Sequence, residues 1–140
     1  MQTLYTTSVT ASGGRNGVVK SSDGVLDLEI RTPKEMGGPG GAYTNPEQLF
    51  AAGYSACFDG ALNLVARTKR IKLESTTVTA HVSFGKDTEG GFQLHTVLEV
   101  NVNGVDHDTA KVLVEEAHQV CPYSRATRNG NMQVELRVVE

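Results

Sequence analysis

The chain has 140 residues, 39% of them hydrophobic and 21% charged, which is enough for one packed core and excludes a disordered, charge-dominated chain. A net charge of -3 and a pI near 5.8 argue against nucleic acid or an anionic membrane surface as partner. The opening MQTLYTTSVT has neither the basic start nor the apolar stretch of a signal peptide, and no run reads as long enough to span a bilayer. A cytoplasmic setting is therefore expected, where two cysteines point to thiol chemistry or plain burial rather than a permanent staple.

Leu4 to Ala11 is Thr-rich and β-branched and reads as a strand. SGGRNG (residues 12–17) is a glycine-rich turn that carries one charge, Arg15; Val18, Val19 and Lys20 resume a strand, and SSDG at 21–24 turns again. Val25, Leu26, Leu28 and Ile30 form a third strand. The loop PKEMGGPGG (33–41) is either a mobile linker or a lid over a pocket; it lacks the Gly-Lys-Ser/Thr of a phosphate loop.

Thr44 to Arg70 then carries a long helix. Thr44 or Asn45 can cap it, Pro46 suits its first turn, and Glu47 completes a capping-box spacing with Thr44. Leu49, Ala52, Gly53, Ala56, Cys57, Gly60, Ala61, Leu64 and Val65 recur at helical spacing, with Phe50, Tyr54 and Phe58 as a second apolar stripe. A helix apolar on nearly all sides is surrounded by protein, more than one small sheet supplies, and a second copy of the chain is the expected cover. Thr76–Phe84 and Phe92–Val102 alternate as a hairpin across GKDTEGG, and Asp106 or Asp108 caps a second helix running to Val120. Cys121 ends that helix on its apolar face; Pro122 stops the helix or starts another, Asn129-Gly130 marks a turn within residues 125–131, and Gln133–Val139 alternates as a last strand. The order of elements predicts a single α+β domain over residues 1–140, with mostly antiparallel strands.

The two helix-borne cysteines lie 64 residues apart and meet only through the fold. A lone cysteine on an apolar helix is ordinarily a small buried hydrophobe. A peroxide-reducing thiol needs more: a cation to hold the thiolate, a carboxylate to orient the cation, a second thiol to capture the sulfenic acid, and an apolar pocket. Candidates for these parts are Cys57, Arg15, Glu47 and Cys121, with Phe50, Tyr54 and Phe58 as pocket wall. Taken singly, Arg15 is a solvated turn residue and Glu47 a helix cap. His81, His95, His107 and His118 are scattered without metal-site spacing, so no metal or bound cofactor is expected.

TNPEQLFAAGYSACF, with CPYS 64 residues beyond Cys57 and GRNG near the start, resembles the organic hydroperoxide resistance (Ohr) family of the OsmC superfamily, essentially end to end. The resemblance implies an intertwined α+β homodimer with sheets packed on a long central helix. It implies a thiol peroxidase that reduces organic, including fatty-acid, hydroperoxides to alcohols in oxidative-stress defence. An external dithiol, dihydrolipoamide or a lipoylated protein, would regenerate it. By motif, Cys57 in SACF matches the peroxidatic cysteine, Cys121 in CPYS the resolving one, Arg15 in GRNG the activating arginine and Glu47 in NPEQ its carboxylate partner. Ser55 stands where many members have Ala, and Tyr43 where Gly is common, which bears on pocket shape.

Helical geometry adds a constraint. Glu47 and Cys57 are ten residues apart, about 15 Å along an axis at about 1.5 Å per residue, and point about 80° apart at about 100° per residue. One straight helix does not put that carboxylate on that sulfur. Either Arg15 bridges part of the gap, or the pair serving each Cys57 comes from a second chain. The expectation is the second, an active site shared by two chains with Arg15 and Glu47 of one facing Cys57 of the other. Two rival readings are a thiol enzyme with other substrates, which would react poorly with bulky peroxides, and a non-enzymatic binding module, whose cysteines would be unreactive.

Overall fold

The structure, a computed structural model, describes residues 1–131 and 134–137. It divides into two compact units, Met1–Phe50 and Ala51–Glu140. In the first, β1 (Val9–Ser12), β2 (Val18–Ser21) and β3 (Asp27–Glu29) form an antiparallel sheet in that order. The register runs from Val9 opposite Ser21 to Ser12 opposite Val18, and from Val18 opposite Glu29 to Lys20 opposite Asp27. The first strand is shorter than the alternation from Leu4 suggests, because its partner ends at Ser21. After the Ser22 N–H donates to the Ser8 carbonyl there is no ladder left to join, and Leu4 and Tyr5 stay exposed. The third strand is clipped for a similar reason: Leu26 is engaged by Ser21, whose N–H donates to its carbonyl and whose Oγ accepts from its N–H.

Residues 33–41 are not slack. Lys34–Met36 forms a 3-10 turn, the Gly38 N–H donates to the Pro33 carbonyl, and the Gly40 N–H donates to the Thr32 carbonyl. The segment walls a cavity of about 460 Å³ together with Arg31, Tyr43, Asn45 and Gln48.

The long helix, α1, spans Pro46–Thr68. Asn45 caps it, accepting the Gln48 N–H at 2.8 Å, so the Thr44–Glu47 capping box is not formed and the Glu47 carboxylate is committed elsewhere. It ends where Arg70 turns left-handed, its N–H donating to the Arg67 carbonyl and that of Ile71 to the Ala66 carbonyl. By length and composition α1 is apolar enough to cross a membrane, which corrects the reading that no run is. The core helix of a packed domain passes the same test. Tyr54, Phe58, Ala61, Leu62, Val65 and Ala66 are buried, and Asp59 and Asn63 hydrogen-bond the Thr76 hydroxyl.

In the second unit β4 (Ser75–Lys86) and β5 (Phe92–Asn103) make a twelve-pair antiparallel hairpin. Val78, Ala80, Val82, Leu98, Val100 and Val102 share one face; Thr77, Thr79, His81, Glu99 and Asn101 share the other. Helix α2 (His107–Val120) buries Leu113 and Ala117 and is capped by Asp106, which accepts the Thr109 N–H at 2.7 Å. Pro122 starts a further helix, α3 (Pro122–Asn129), with left-handed Gly130 as its C-cap, so residues 125–129 are helical rather than a turn. Pro occupies the first position, where a missing N–H costs nothing. Of the expected last strand, Gln133, Val138 and Val139 lie outside the described residues, and residues 134–137 join no sheet. The fold is α+β, with antiparallel sheets and three α-helices among the described residues.

Because Asp106 alone supplies the α2 cap, Asp106→Ala is expected to lower stability by about 1 kcal/mol. Asp108→Ala, one residue into the helix, stays within about 0.5 kcal/mol. Chemical denaturation midpoints of the two variants check this.

Candidate active site

Two clusters hold the sequence-predicted residues, one in each unit. In the first, Arg15 sits on a single 3-10 turn, Gly14–Asn16, between β1 and β2. Two glycines make that turn possible. Gly13 has φ +82°, and a Cβ at Gly17 would run into the Ser12 carbonyl. The turn presents the guanidinium to Glu47, in the first turn of α1, through two parallel bonds: Nη1 to Oε2 at 2.9 Å and Nη2 to Oε1 at 2.7 Å. Glu47 is the more enclosed partner, with 13% of its side chain exposed against 35% for Arg15. This fork-to-fork geometry fixes the guanidinium plane as well as its position. The hydrogen bonds from Arg15 hold the Glu47 carboxyl below its ordinary value of 4.5, against a smaller upward push from burial. They raise Arg15 in turn, so the pair is ionised throughout the neutral range.

The second cluster brings the cysteines together. Both are free thiols; Cys57 is half-buried in mid-α1 and Cys121 fully buried at the junction of α2 and α3. Their sulfur atoms are 3.7 Å apart. A disulfide is about 2.05 Å long, so the two are in contact and a small side-chain movement from bonding. Burial pushes the Cys57 thiol up from its ordinary value of 9.0; the main-chain N–H of Tyr123, second residue of α3, pulls the other way, and Cys121 adds to the upward shift. A nearby positive charge is what would favour a thiolate at such a site.

The proposed pocket wall is placed less openly. Tyr54 and Phe58 are 4% and 1% exposed, and Phe50 is half-buried. The Tyr54 hydroxyl bonds the buried Ser124 hydroxyl at 2.9 Å and reaches Thr127 Oγ1 at 3.4 Å. Its ring lies 5.8 Å from that of Tyr123. Ser124, Tyr123 and Thr127 carry no weight in the periodicity of the sequence, although the first two stand inside CPYS. Gly53 also has a role the sequence does not announce: a Cβ there would come within 2.8 Å of the Tyr123 hydroxyl.

The fold and the paired thiols define a recognisable class. Residues 38–137 match the OsmC-like protein family, and the chain belongs to that family. Over 144 residues it is 52% identical to the organic hydroperoxide resistance protein OhrA of Bacillus subtilis, covering 99% of each chain. It is 50% identical to the organic hydroperoxide resistance protein of Xanthomonas axonopodis pv. citri, over 95% of this chain and 93% of that one. The crystal structure of an organic hydroperoxide resistance protein from Elizabethkingia anophelis superposes with a TM-score of 0.87 at 58% identity over 92% of both chains. Within the OsmC-like proteins, the chain is thus of the organic hydroperoxide resistance type.

The sign of the Glu47 shift sets a pH window. A folded-state value below the unfolded 4.5 means stability that is present above pH 4.5 and lost as pH falls through the lowered value. The stability profile of Glu47→Gln should therefore run below the parent at neutral pH and merge with it in stronger acid. Parallel profiles across pH 2–7, by thermal melts, would show the pair contributes no pH-linked stability.

Proposed function

We propose that the protein is a cysteine-based peroxidase that reduces organic hydroperoxides, fatty-acid hydroperoxides among them, to alcohols. The observation that carries this is the pair of free thiols, 64 residues apart in sequence and 3.7 Å apart in space. In the proposed cycle the Cys57 thiolate attacks the distal peroxide oxygen, the O–O bond breaks, and the alkoxide leaves as the alcohol after taking a proton. Cys57 becomes a sulfenic acid. The Cys121 thiol condenses with it, forming the disulfide and releasing water. An external dithiol, a lipoyl group being the proposed donor, restores both thiols by exchange and is itself oxidised.

Arg15 has the chemistry of such a charge. It is permanently cationic, and Glu47 fixes its orientation, so it can stabilise the thiolate and donate to the peroxide oxygens as charge develops. Ten residues of continuous helix separate Glu47 from Cys57. The reading that fits this spacing is a homodimer in which Arg15 and Glu47 of one protomer serve Cys57 of its partner. Unspent apolar surface supports a dimer. Only 33% of the most apolar window of α1 is buried within one chain, Leu64 is 46% exposed, and β4 and β5 form a two-stranded sheet among the described residues. Two-stranded sheets are marginal without further cover. The apolar tail of the peroxide is assigned to the stripe of Phe50, Tyr54 and Phe58, and the setting is cytoplasmic, where a lipoylated protein could reduce the disulfide.

Single-turnover oxidation of the reduced protein by cumene hydroperoxide and by hydrogen peroxide tests this. Fast loss of both thiols is expected with the organic peroxide and slower loss with hydrogen peroxide. Cys57→Ser should abolish the reaction, and Cys121→Ser should leave the first oxidation but no disulfide. If both peroxides react only as fast as an ordinary free thiol, the reading fails in favour of a binding module. A second test addresses the charge. The Cys57 thiolate, followed by ultraviolet absorbance, should titrate below 9.0 in the assembled protein. Arg15→Ala should move it back above that value and slow peroxide reduction about 10²–10³-fold.

A further inference from the structure

The contact between the two sulfurs depends on where α3 is seated, since Cys121 is the residue that leads into it and has no side-chain cap bond of its own. Three points fix α3 on α1. The ring of Tyr123 lies over Gly53, where any side chain would collide with it. The Tyr54 hydroxyl meets that of Ser124 at 2.9 Å, with Tyr54 4% and Ser124 0% exposed. Cys57 meets Cys121. Tyr54 and Cys57 are three residues apart on α1, hence neighbours on one face; Cys121 and Ser124 are three residues apart at the start of α3. The two helices therefore touch through two successive rungs, one a hydrogen bond and one the thiol pair. Thr127 closes the polar rung, donating to the Ser124 carbonyl at 3.1 Å while contacting the Tyr54 hydroxyl.

We infer that Tyr54 and Ser124 form a positioning pair that keeps the resolving thiol on the peroxidatic sulfur and so decides whether oxidised Cys57 closes to a disulfide or is oxidised further. This rests on the two-cysteine reading above. The Cys57 sulfenic acid has two fates. With the Cys121 thiol it gives the disulfide and water, a step inside one chain and independent of peroxide concentration. With a second hydroperoxide it takes one oxygen, giving the sulfinic acid and a second alcohol, in proportion to peroxide. The ratio of sulfinic acid to disulfide is linear in peroxide, and its slope measures how well Cys121 is placed, whatever the rate of the first oxidation. A hydrogen bond between two buried hydroxyls suits this task. It is directional, and leaving a buried partner unsatisfied costs about 1–3 kcal/mol, whereas apolar packing at the same point would let α3 slide.

The experiment titrates reduced protein with cumene hydroperoxide and reads sulfinic acid at Cys57 against disulfide by intact-mass and peptide mass spectrometry. Tyr54→Phe and Ser124→Ala are each expected to raise the slope about tenfold or more, since displacements near 1 Å carry effects of that order. The double variant should raise it no further than the larger single effect, because both changes remove one interaction. Ser124→Thr, which keeps the hydroxyl, should restore much of the parent slope. Val65→Ala, a core change on α1 away from the rungs, serves as the control for general loosening. Parent-like slopes in both Tyr54→Phe and Ser124→Ala would overturn the inference, as would an equal rise in Val65→Ala. If the parent protein forms no disulfide at low peroxide, the two-cysteine reading itself falls, a result distinct from parent-like slopes in the variants.

Discussion

A cysteine on an apolar helix is kept protonated by the same dryness that would make its thiolate reactive. Everything around Cys57 follows from that conflict. Cys57 is half-buried on α1, and burial pushes its thiol up. The main-chain N–H of Tyr123, at the start of α3, pulls the other way. A fixed cation, Arg15, is carried on a turn between two short strands. There Gly13 and Gly17 allow a backbone path that other residues would block, and Glu47 fixes the guanidinium in its plane. An arginine suits this better than a lysine, because its planar fork is held by two bonds and it does not lose its proton in a dry environment.

Much of this was legible in the sequence, and the exceptions share a cause. Alternation placed the hairpin of β4 and β5 nearly to the residue, and helical spacing with a cap and a proline placed α1 and α2. The first strand was overextended because Leu4 to Ala11 has strand composition throughout, while pairing is limited by the length of the partner, which alternation does not encode. Glu47 looked like half of a capping box; Asn45 took the cap because its side chain reaches the Gln48 N–H, and the carboxylate became free for Arg15. Helix α3 is left open in the sequence, where Pro122 can either stop a helix or start one and Asn129-Gly130 signals a turn, because eight residues are too few for spacing alone to decide.

The site shows the same division. Cys57, Cys121, Arg15 and Glu47 stand out as candidates because few residue types can carry this chemistry and because they fall in the motifs SACF, CPYS, GRNG and NPEQ. Ser124 and Thr127 are not, since a hydroxyl becomes informative only when the fold shows what it faces. Tyr54 is the instructive case. Its ring belongs to the apolar stripe that spacing reveals, while its hydroxyl belongs to a polar rung that only the meeting of α1 and α3 reveals.

The short distance between the sulfurs also bears on what could undo a disulfide formed between them. Two thiols held at 3.7 Å see one another at an effective concentration far above that of any solute. A reductant that opens such a disulfide through a mixed disulfide leaves one of the protein's own thiols beside it, ready to expel the newcomer. A reductant with one thiol must then win by mass, molecule against neighbour. A reductant that carries a second thiol on the same small frame meets proximity with proximity, closing its own ring before the protein recloses its own. In the proposed cycle, a fold that keeps its two sulfurs this close would favour a donor with two thiols over one with a single thiol.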